Sequence, residues 1–199
     1  ENVTLMVTGD HGQKDVTYAI HGNMALQDMG YSTYQDGFLK EYQVYMDGCD
    51  GMAYLYPRNA ESEDDREACR EAAEYFKTVP GVKAVMEREE FASYGCDQKA
   101  EYVLEAVNGY SFETGYEAEA DKAHHYTVVS HYKGLHGYLP DEDGYRTVFF
   151  SYGKDVQAKT IDKMCITDIL PTMLTWLGIT PDADMDGKAV KGVWKETDA

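Results

Sequence analysis

Residues 7–13 read VTGDHGQ, and this stretch follows an apolar run that begins at Val3. The residues from Val3 to Thr8 are mostly β-branched or apolar and lack helical spacing, which predicts a short strand covered on both faces. In open α/β sheets, ligands bind at the carboxyl ends of the strands. Asp10 and His11 directly follow the predicted strand, so they occupy the position of a binding site.

The side chains of Asp10 and His11 suit a divalent metal ion, because carboxylate oxygens and imidazole nitrogens are both ligands of zinc. Gly9 and Gly12 on either side let the backbone turn sharply around the pair. The same residues also fit a plain turn, in which Asp10 caps the following residues and His11 faces solvent. The predicted buried strand before the pair favours the binding site.

The composition is that of a globular protein and excludes several kinds of function. The chain has 199 residues, of which 43% are hydrophobic and 27% charged, enough for one sizeable core or a core with a small insertion. No apolar run approaches about 18 residues, so no transmembrane helix is predicted. The net charge of −18 disfavours nucleic acid, although metal ions could still attract a small phosphate ester. The four cysteines are widely spaced, and free thiols are expected.

Strand and helix patterns alternate along the whole chain. A short helix is predicted to begin at Asn23, as its N-cap, and to end at Gly30. The longest helical pattern covers residues 61–78, and another covers residues 162–177 with a kink or a late start caused by Pro171. Such alternation predicts an α/β fold with a mostly parallel central sheet flanked by helices.

Residues 42–112 form a block with its own pattern of predicted strands and helices. The block is more charged than the rest of the chain and contains its own succession of strand, helix and strand. We therefore expect a small α+β cap-like subdomain at residues 42–112. It would be inserted into a core that is formed by residues 1–41 and 113–199.

A second histidine lies between glycines in the stretch GLHGYLP, residues 134–140. A single loop histidine is more often a surface or capping residue than a ligand, so His136 alone predicts little. The segments that follow His136 favour a functional role for this histidine. A buried-strand pattern ends at Gly153, an apolar helix pattern carries LPTML at residues 170–174, and Asp186-Gly187 comes last.

The order of these motifs resembles the alkaline phosphatase superfamily, and within it the type I phosphodiesterase/nucleotide pyrophosphatase family. Members of that family carry a strand ending in Asp-His-Gly-Met, a small inserted region, a Gly-x-His-Gly loop, a helix with Asp-x-x-Pro-Thr and a closing Asp-Gly. The resemblance spans nearly the whole chain in the right order, with Gln13 in place of the family's methionine. The matching segments are Asp10-His11-Gly12, residues 21–30, 134–137, 148–153 and 168–179, and Asp186-Gly187.

The resemblance implies a site with two zinc-like divalent ions side by side. Carried over by position, Asp10 and His11 bind one ion and His136 binds the other. The two ions would hold a phosphate oxygen and activate the nucleophile. The implied partner is a small phosphate-ester substrate, with no nucleic acid and no membrane segment in this chain.

The family's nucleophile and its remaining metal ligands all precede the Asp-His-Gly strand. The resemblance therefore implies that they lie upstream, and no catalytic residue is expected in this chain. The chain resembles the C-terminal portion of a longer phosphodiesterase/nucleotide pyrophosphatase-like hydrolase. We expect it to bind zinc weakly when isolated, to hydrolyse nothing, and to self-associate through core surface that the missing half would cover.

Two other interpretations stay open at the level of sequence. Sulfatases, phosphonoacetate hydrolases and cofactor-independent phosphoglycerate mutases share the metal core, and the residues that separate these enzymes lie mostly outside this chain. The alternative from another class is a non-catalytic α/β binding module. Such a module would lack an upstream Asp, a Thr or Ser nucleophile, and an Asp-x-x-x-His pair.

Overall fold

The computed structural model describes residues 3–115, 119–141 and 143–195. Contacts divide the chain into two compact units, a smaller one of Glu1–Asp10 with Thr147–Ala199 and a larger one of His11–Arg146. The strands of the described residues are β1 (Thr4–Thr8), β2 (Lys14–Ile20), β3 (Ser32–Gln35), β4 (Phe38–Tyr42), β5 (Val44–Cys49), β6 (Met52–Pro57), β7 (Val82–Glu87), β8 (Tyr102–Ala106), β9 (Gly109–Phe112), β10 (Thr127–Val129), β11 (Gly134–Leu135) and β12 (Phe149–Gly153). The α-helices are α1 (Gly22–Asp28), α2 (Glu63–Phe76), α3 (Arg88–Phe91) and α4 (Ile169–Trp176). Within these described segments, no helix combines the length and the apolar character that crossing a membrane requires.

In the smaller unit, β1 pairs with β12 in antiparallel register, so that Leu5 is opposite Tyr152. The helix α4 directly follows a turn of 3₁₀ helix at Ile166–Asp168. Pro171 therefore lies in the first turn of α4, where its missing N–H removes no helical hydrogen bond. Of the two predicted alternatives, a kink or a late start, the structure has the late start.

The larger unit contains a four-stranded antiparallel sheet with the order β5-β6-β8-β7. The helix α2 packs on this sheet through a stripe of buried side chains, Ala68, Ala72 and Phe76. Leu55 and Leu104 of the sheet are fully buried in the same core cluster. Burial stabilises the folded chain by about 1.5–3 kcal/mol for each large apolar side chain, so this contact holds the helix in place.

A second sheet of the larger unit is built around β2. The strands β10 and β11 pair with β2 in antiparallel fashion, β10 near its carboxyl end and β11 near its amino end. The strand β9 pairs with β2 in parallel. The pairing of Leu135 with Lys14 brings the chain beyond β11 alongside the residues that precede β2. This register positions the candidate site.

These pairings do not support the predicted mostly parallel central sheet. Among the described strands, β2 and β9 run parallel, and the other pairs between named strands are antiparallel. Alternating strands and helices predict crossover units, but neighbouring strands here are often joined by hairpins, such as the two-residue turn between Cys49 and Met52. The coarser prediction of an α/β fold is confirmed.

The prediction that Asn23 caps α1 is wrong. The helix begins at Gly22, and His21 holds the N-cap position without a side-chain hydrogen bond to the helix. Asn23 is buried instead, where its amide donates to the carbonyl of Met46 at 2.7 Å and its oxygen accepts from the Met46 N–H at 2.9 Å. A buried amide needs such partners, and this long-range pairing outweighs the local capping preference.

The predicted division into a core of residues 1–41 and 113–199 and a cap of residues 42–112 stays a prediction. The block 42–112 holds the four-stranded sheet and α2. Its last strand, β9, pairs with β2, which belongs to the predicted core.

Candidate functional site

His11 begins the larger unit, in the loop that leads into β2. Its Nδ1 lies 2.9 Å from the carbonyl oxygen of Gly12, and because a carbonyl can only accept, Nδ1–H is the donor. In the neutral imidazole the lone pair then lies on Nε2. Metal-binding histidines are commonly held in this way, with one ring N–H donated to a backbone carbonyl.

The second sheet brings His136 to His11. The strand β11 ends with Leu135 opposite Lys14, and His136 is the next residue along the chain. The two imidazole rings stack on each other, with centroids 4.2 Å apart and planes inclined by 30°. The antiparallel register of β2 and β11 therefore explains why two histidines so distant in sequence lie against each other.

Two glycines beside these histidines leave no room for a side chain. A Cβ atom on Gly12 would lie 2.3 Å from the carbonyl oxygen of Tyr145, and one on Gly137 would lie 2.2 Å from the carbonyl oxygen of Cys49. Gly137 also has a φ of 77°, which favours glycine. Its N–H donates to the Tyr145 hydroxyl at 2.8 Å. Close backbone contacts thus hold both loops that carry the histidines.

The carboxylate of Asp50, which the sequence alone did not single out, also lies close to His136. Asp50 lies in the turn between β5 and β6, and its Oδ2 is 3.4 Å from Nε2 of His136. Both side chains are accessible to ions from solvent, since 30% of Asp50 and 49% of His136 is exposed. In the sequence, Asp50-Gly51 signals only a hairpin turn. The contact with His136 depends on tertiary structure and has no local signal.

Aromatic packing supports the loop that carries His136. Tyr138 packs against Tyr145 with ring centroids 5.8 Å apart. Burial, with smaller effects of Asp50 and Tyr145, raises the pKa of Tyr138 to about 12. Its hydroxyl therefore stays protonated at neutral pH and donates to the carbonyl of Tyr110 at 2.7 Å. The ammonium of Lys14 lies 5.7 Å from the Tyr138 ring centroid and adds positive charge beside this loop.

The structure brings together two of the three predicted metal ligands, His11 and His136. Asp10 precedes His11 in the chain, is exposed, and ends the smaller unit. Its participation in a shared site stays a prediction. Across residues 3–115, 119–141 and 143–195, no cluster of three or more His, Cys, Asp or Glu side chains could hold a metal ion.

Solved structures of known proteins identify the class of fold. Human ectonucleotide pyrophosphatase/phosphodiesterase 5 aligns with a TM-score of 0.66 and 18% identity over 97% of this chain and 46% of its own. The murine protein aligns with a TM-score of 0.58 and 20% identity over 90% of this chain and 42% of its own. An inactive form of the murine protein in complex with AMP gives a TM-score of 0.56 and 20% identity, over 89% and 41%. The chain has an α/β fold similar to theirs and spans less than half the length of these structures.

The family follows from the sequence match. The model of the type I phosphodiesterase/nucleotide pyrophosphatase family matches residues 1–139, and this chain belongs to that family. The resemblance to this family that is seen in the motifs is confirmed. A search of curated proteins found no match to the chain.

Proposed function

We propose that this chain is the C-terminal part of a metal-dependent phosphodiesterase/nucleotide pyrophosphatase-like hydrolase. In this proposal Asp10 and His11 hold one divalent ion and His136 holds a second. The observation that carries the proposal is the stacking of the His11 and His136 rings, with centroids 4.2 Å apart. Family membership supports the class of reaction, the cleavage of a phosphoric ester or anhydride.

The two histidines fit a pair of ions better than one shared ion. The two rings stack on each other with centroids 4.2 Å apart and planes inclined by 30°. Rings that stack side by side can each bind an ion of their own, whereas two ligands of one ion must converge on it. Zinc suits imidazole and carboxylate donors, and such ions, when bound, polarise a phosphoryl oxygen and activate the nucleophile.

The chain supplies only part of the ligand set that catalysis needs. Asp10 and His11 give one ion two ligands and His136 gives the other a single ligand, whereas catalytic zinc ions usually have three protein ligands. The remaining ligands and a Thr or Ser nucleophile precede this chain in the complete enzyme. The isolated chain therefore binds zinc weakly and hydrolyses nothing.

The substrate class that we infer is a small phosphate ester, with nucleotides as the first choice. The murine relative was solved in complex with AMP, which supports a nucleotide for this chain by similarity. The protein surface does not attract such an anion, because the net charge is −18. The bound ions would reverse the sign of the local charge. The block 42–112 acts as a cap that selects the substrate, and the contact of its Asp50 with His136 supports this role.

The test uses the complete enzyme, expressed with the residues that precede this chain. Hydrolysis of a nitrophenyl phosphodiester is compared with that of a nitrophenyl phosphomonoester, with and without a chelator. His11→Ala and His136→Ala should each lower kcat/KM by more than about 100-fold, because losing even an indirect partner of a metal ligand costs about 10–100-fold. The chelator should abolish the wild-type activity.

The matched control is His131→Ala, an exposed histidine between β10 and β11 that the proposal does not use. Its activity should stay within about twofold of wild type, in line with the small effects of most surface substitutions. Wild-type activity in either site variant, or activity that survives the chelator, would contradict the proposal.

A further inference from the structure

A cleft of about 430 Å³ opens in the larger unit near the carboxyl end of β2. Its volume falls in the range of about 300–1,000 Å³ that is typical of small-molecule sites. Tyr18 of β2, Tyr110 of β9 and Val129 of β10 lie side by side across the sheet and line it. His11 precedes the amino end of β2, so the cleft and the pair of His11 and His136 lie toward opposite ends of this strand.

Two tyrosine rings give the cleft an aromatic wall. The rings of Tyr18 and Tyr110 have centroids 5.1 Å apart and planes inclined by 32°. Gly81, in the turn between α2 and β7, also lines the cleft, and a Cβ atom there would lie 2.3 Å from the Tyr110 ring. The glycine therefore lets this ring lie directly against the backbone. Tyr18 is 40% exposed, so part of its ring is open to a ligand.

The loop before β10 holds two histidines at the cleft, His124 and His125. His125 and Tyr126 have φ values of 51° and 55°, which are uncommon for residues with a side chain. The N–H of Tyr126 donates to the Asp121 carbonyl at 2.7 Å, and its hydroxyl donates to the Asp28 carboxylate at 2.6 Å. The Asp121 carboxylate accepts from Nδ1–H of His124 at 2.8 Å. Strained backbone that surrounding contacts enforce in this way is common at ligand sites.

The charge of the cleft selects the class of ligand. Of the lining residues that the structure describes, Glu119 carries a carboxylate and none is a lysine or an arginine. The net charge of −18 adds to the negative potential. The faces of aromatic rings attract cations, above all alkylated ammonium groups. We infer that this cleft binds a small organic cation against the two tyrosine rings, with Glu119 as its counter-ion. The inference makes no use of the metal ions of the proposed function.

Titration of the 199-residue chain with tetramethylammonium chloride tests this inference. The matched ligand is tert-butanol, an uncharged molecule of nearly the same size and shape, and sodium chloride controls for ionic strength. In ¹H–¹⁵N NMR spectra, tetramethylammonium should shift the amide signals of Gly81, Thr127 and Val129, which line the cleft. It should bind at least about fivefold more tightly than tert-butanol, because two ring faces and a carboxylate favour the cation.

Two variants remove the groups that should select the cation. Tyr18→Leu keeps an apolar side chain but removes one ring, and it should weaken tetramethylammonium binding at least about threefold without weakening that of tert-butanol. Glu119→Gln removes the negative charge and should have an effect of similar size. Tyr132→Leu and Glu89→Gln are the matched controls, because both residues are exposed and do not line the cleft. Both controls should keep the wild-type affinity.

Equal binding of the two probes would overturn the inference. Amide shifts that map outside the cleft would do the same, as would the absence of binding up to about 100 mM, a level at which even a weak cation site should fill. Wild-type affinity in Glu119→Gln, or in a folded Tyr18→Leu, would also overturn it. Circular dichroism checks the fold of each variant. If Tyr18→Leu does not fold, Glu119→Gln decides the question, because its side chain is exposed.

Discussion

At the scale of single residues, Gly12 shows why the loop of His11 needs a glycine. A Cβ atom there would lie 2.3 Å from the carbonyl oxygen of Tyr145, which is backbone and cannot swing away. Gly12→Ala should therefore push the two segments apart and lower the free energy of unfolding by about 1–3 kcal/mol, the usual cost of overpacking. Urea unfolding measures this loss, and NMR ring-current shifts report whether the stacking of His11 on His136 is lost.

The matched control for this prediction is Gly115→Ala. Gly115 is exposed, belongs to the same unit, and has nothing within 4 Å of an added Cβ atom. This substitution should change the free energy of unfolding by no more than about 0.5 kcal/mol, as surface changes usually do. Equal effects of the two alanines would show that steric conflict at Gly12 is not the cause.

Single residues also show what the sequence could and could not predict about the site. The ordered set of motifs singled out His11 and His136 as metal ligands, which stays a prediction, and the structure stacks their rings. The contact of Asp50 with His136 was not predictable, because an Asp-Gly pair signals a turn but carries no information about which loop the turn touches. The prediction that Asn23 caps α1 was wrong, because the buried hydrogen bonds of Asn23 to Met46 outweigh its local capping preference.

At the scale of elements, the start of α2 depends on one hydroxyl. Ser62 is the N-cap of this helix, and its Oγ accepts from the N–H of Asp65 at 3.3 Å. Ser62→Ala should lower the free energy of unfolding by about 0.5–2 kcal/mol. The N–H groups of the first turn have no acceptor within the helix, and one of them would lose the acceptor that the Ser62 side chain supplies. Ser62→Asn keeps a side-chain acceptor at the cap and should lower the free energy of unfolding by only a few tenths of that amount. Urea unfolding, followed by circular dichroism, compares the two, and a larger loss in the asparagine variant would refute the capping role.

The elements differ in how far local signals determine them. The helix α2 was predictable within two residues at each end, because a capping serine, three acidic residues in its first turn and an apolar stripe all agree. The direction of strand pairing was not predictable. It depends on which strands meet in space, and the apolar patterns of β1 and β12 are the same for a parallel or an antiparallel partner. The expected parallel sheet therefore rested on a pattern that does not distinguish the two directions of pairing.

At the scale of the molecule, the smaller unit leaves an apolar sheet face open. Antiparallel pairing places Leu5 opposite Tyr152 and Val7 opposite Phe150 on one face. Leu5, Phe150 and Tyr152 are 54%, 54% and 78% exposed. In the described part of the chain this sheet has only two strands, and an isolated two-stranded sheet is marginally stable in water. An apolar face of this kind is usually covered by other protein surface, which under the proposed function is the preceding part of a longer hydrolase.

The isolated chain should therefore cover this face with a second copy of itself. We expect sedimentation velocity to show association that increases with protein concentration. Replacing both Phe150 and Tyr152 by Ser should weaken the association at least about tenfold, because burial of each ring contributes about 1.5–3 kcal/mol and 1.4 kcal/mol is a factor of ten. Phe38→Ser is the control, since Phe38 is 77% exposed but lies in the larger unit, on β4. A wild-type chain that stays monomeric at high concentration, or a control that weakens association equally, would show that this face is not what the chains use to associate.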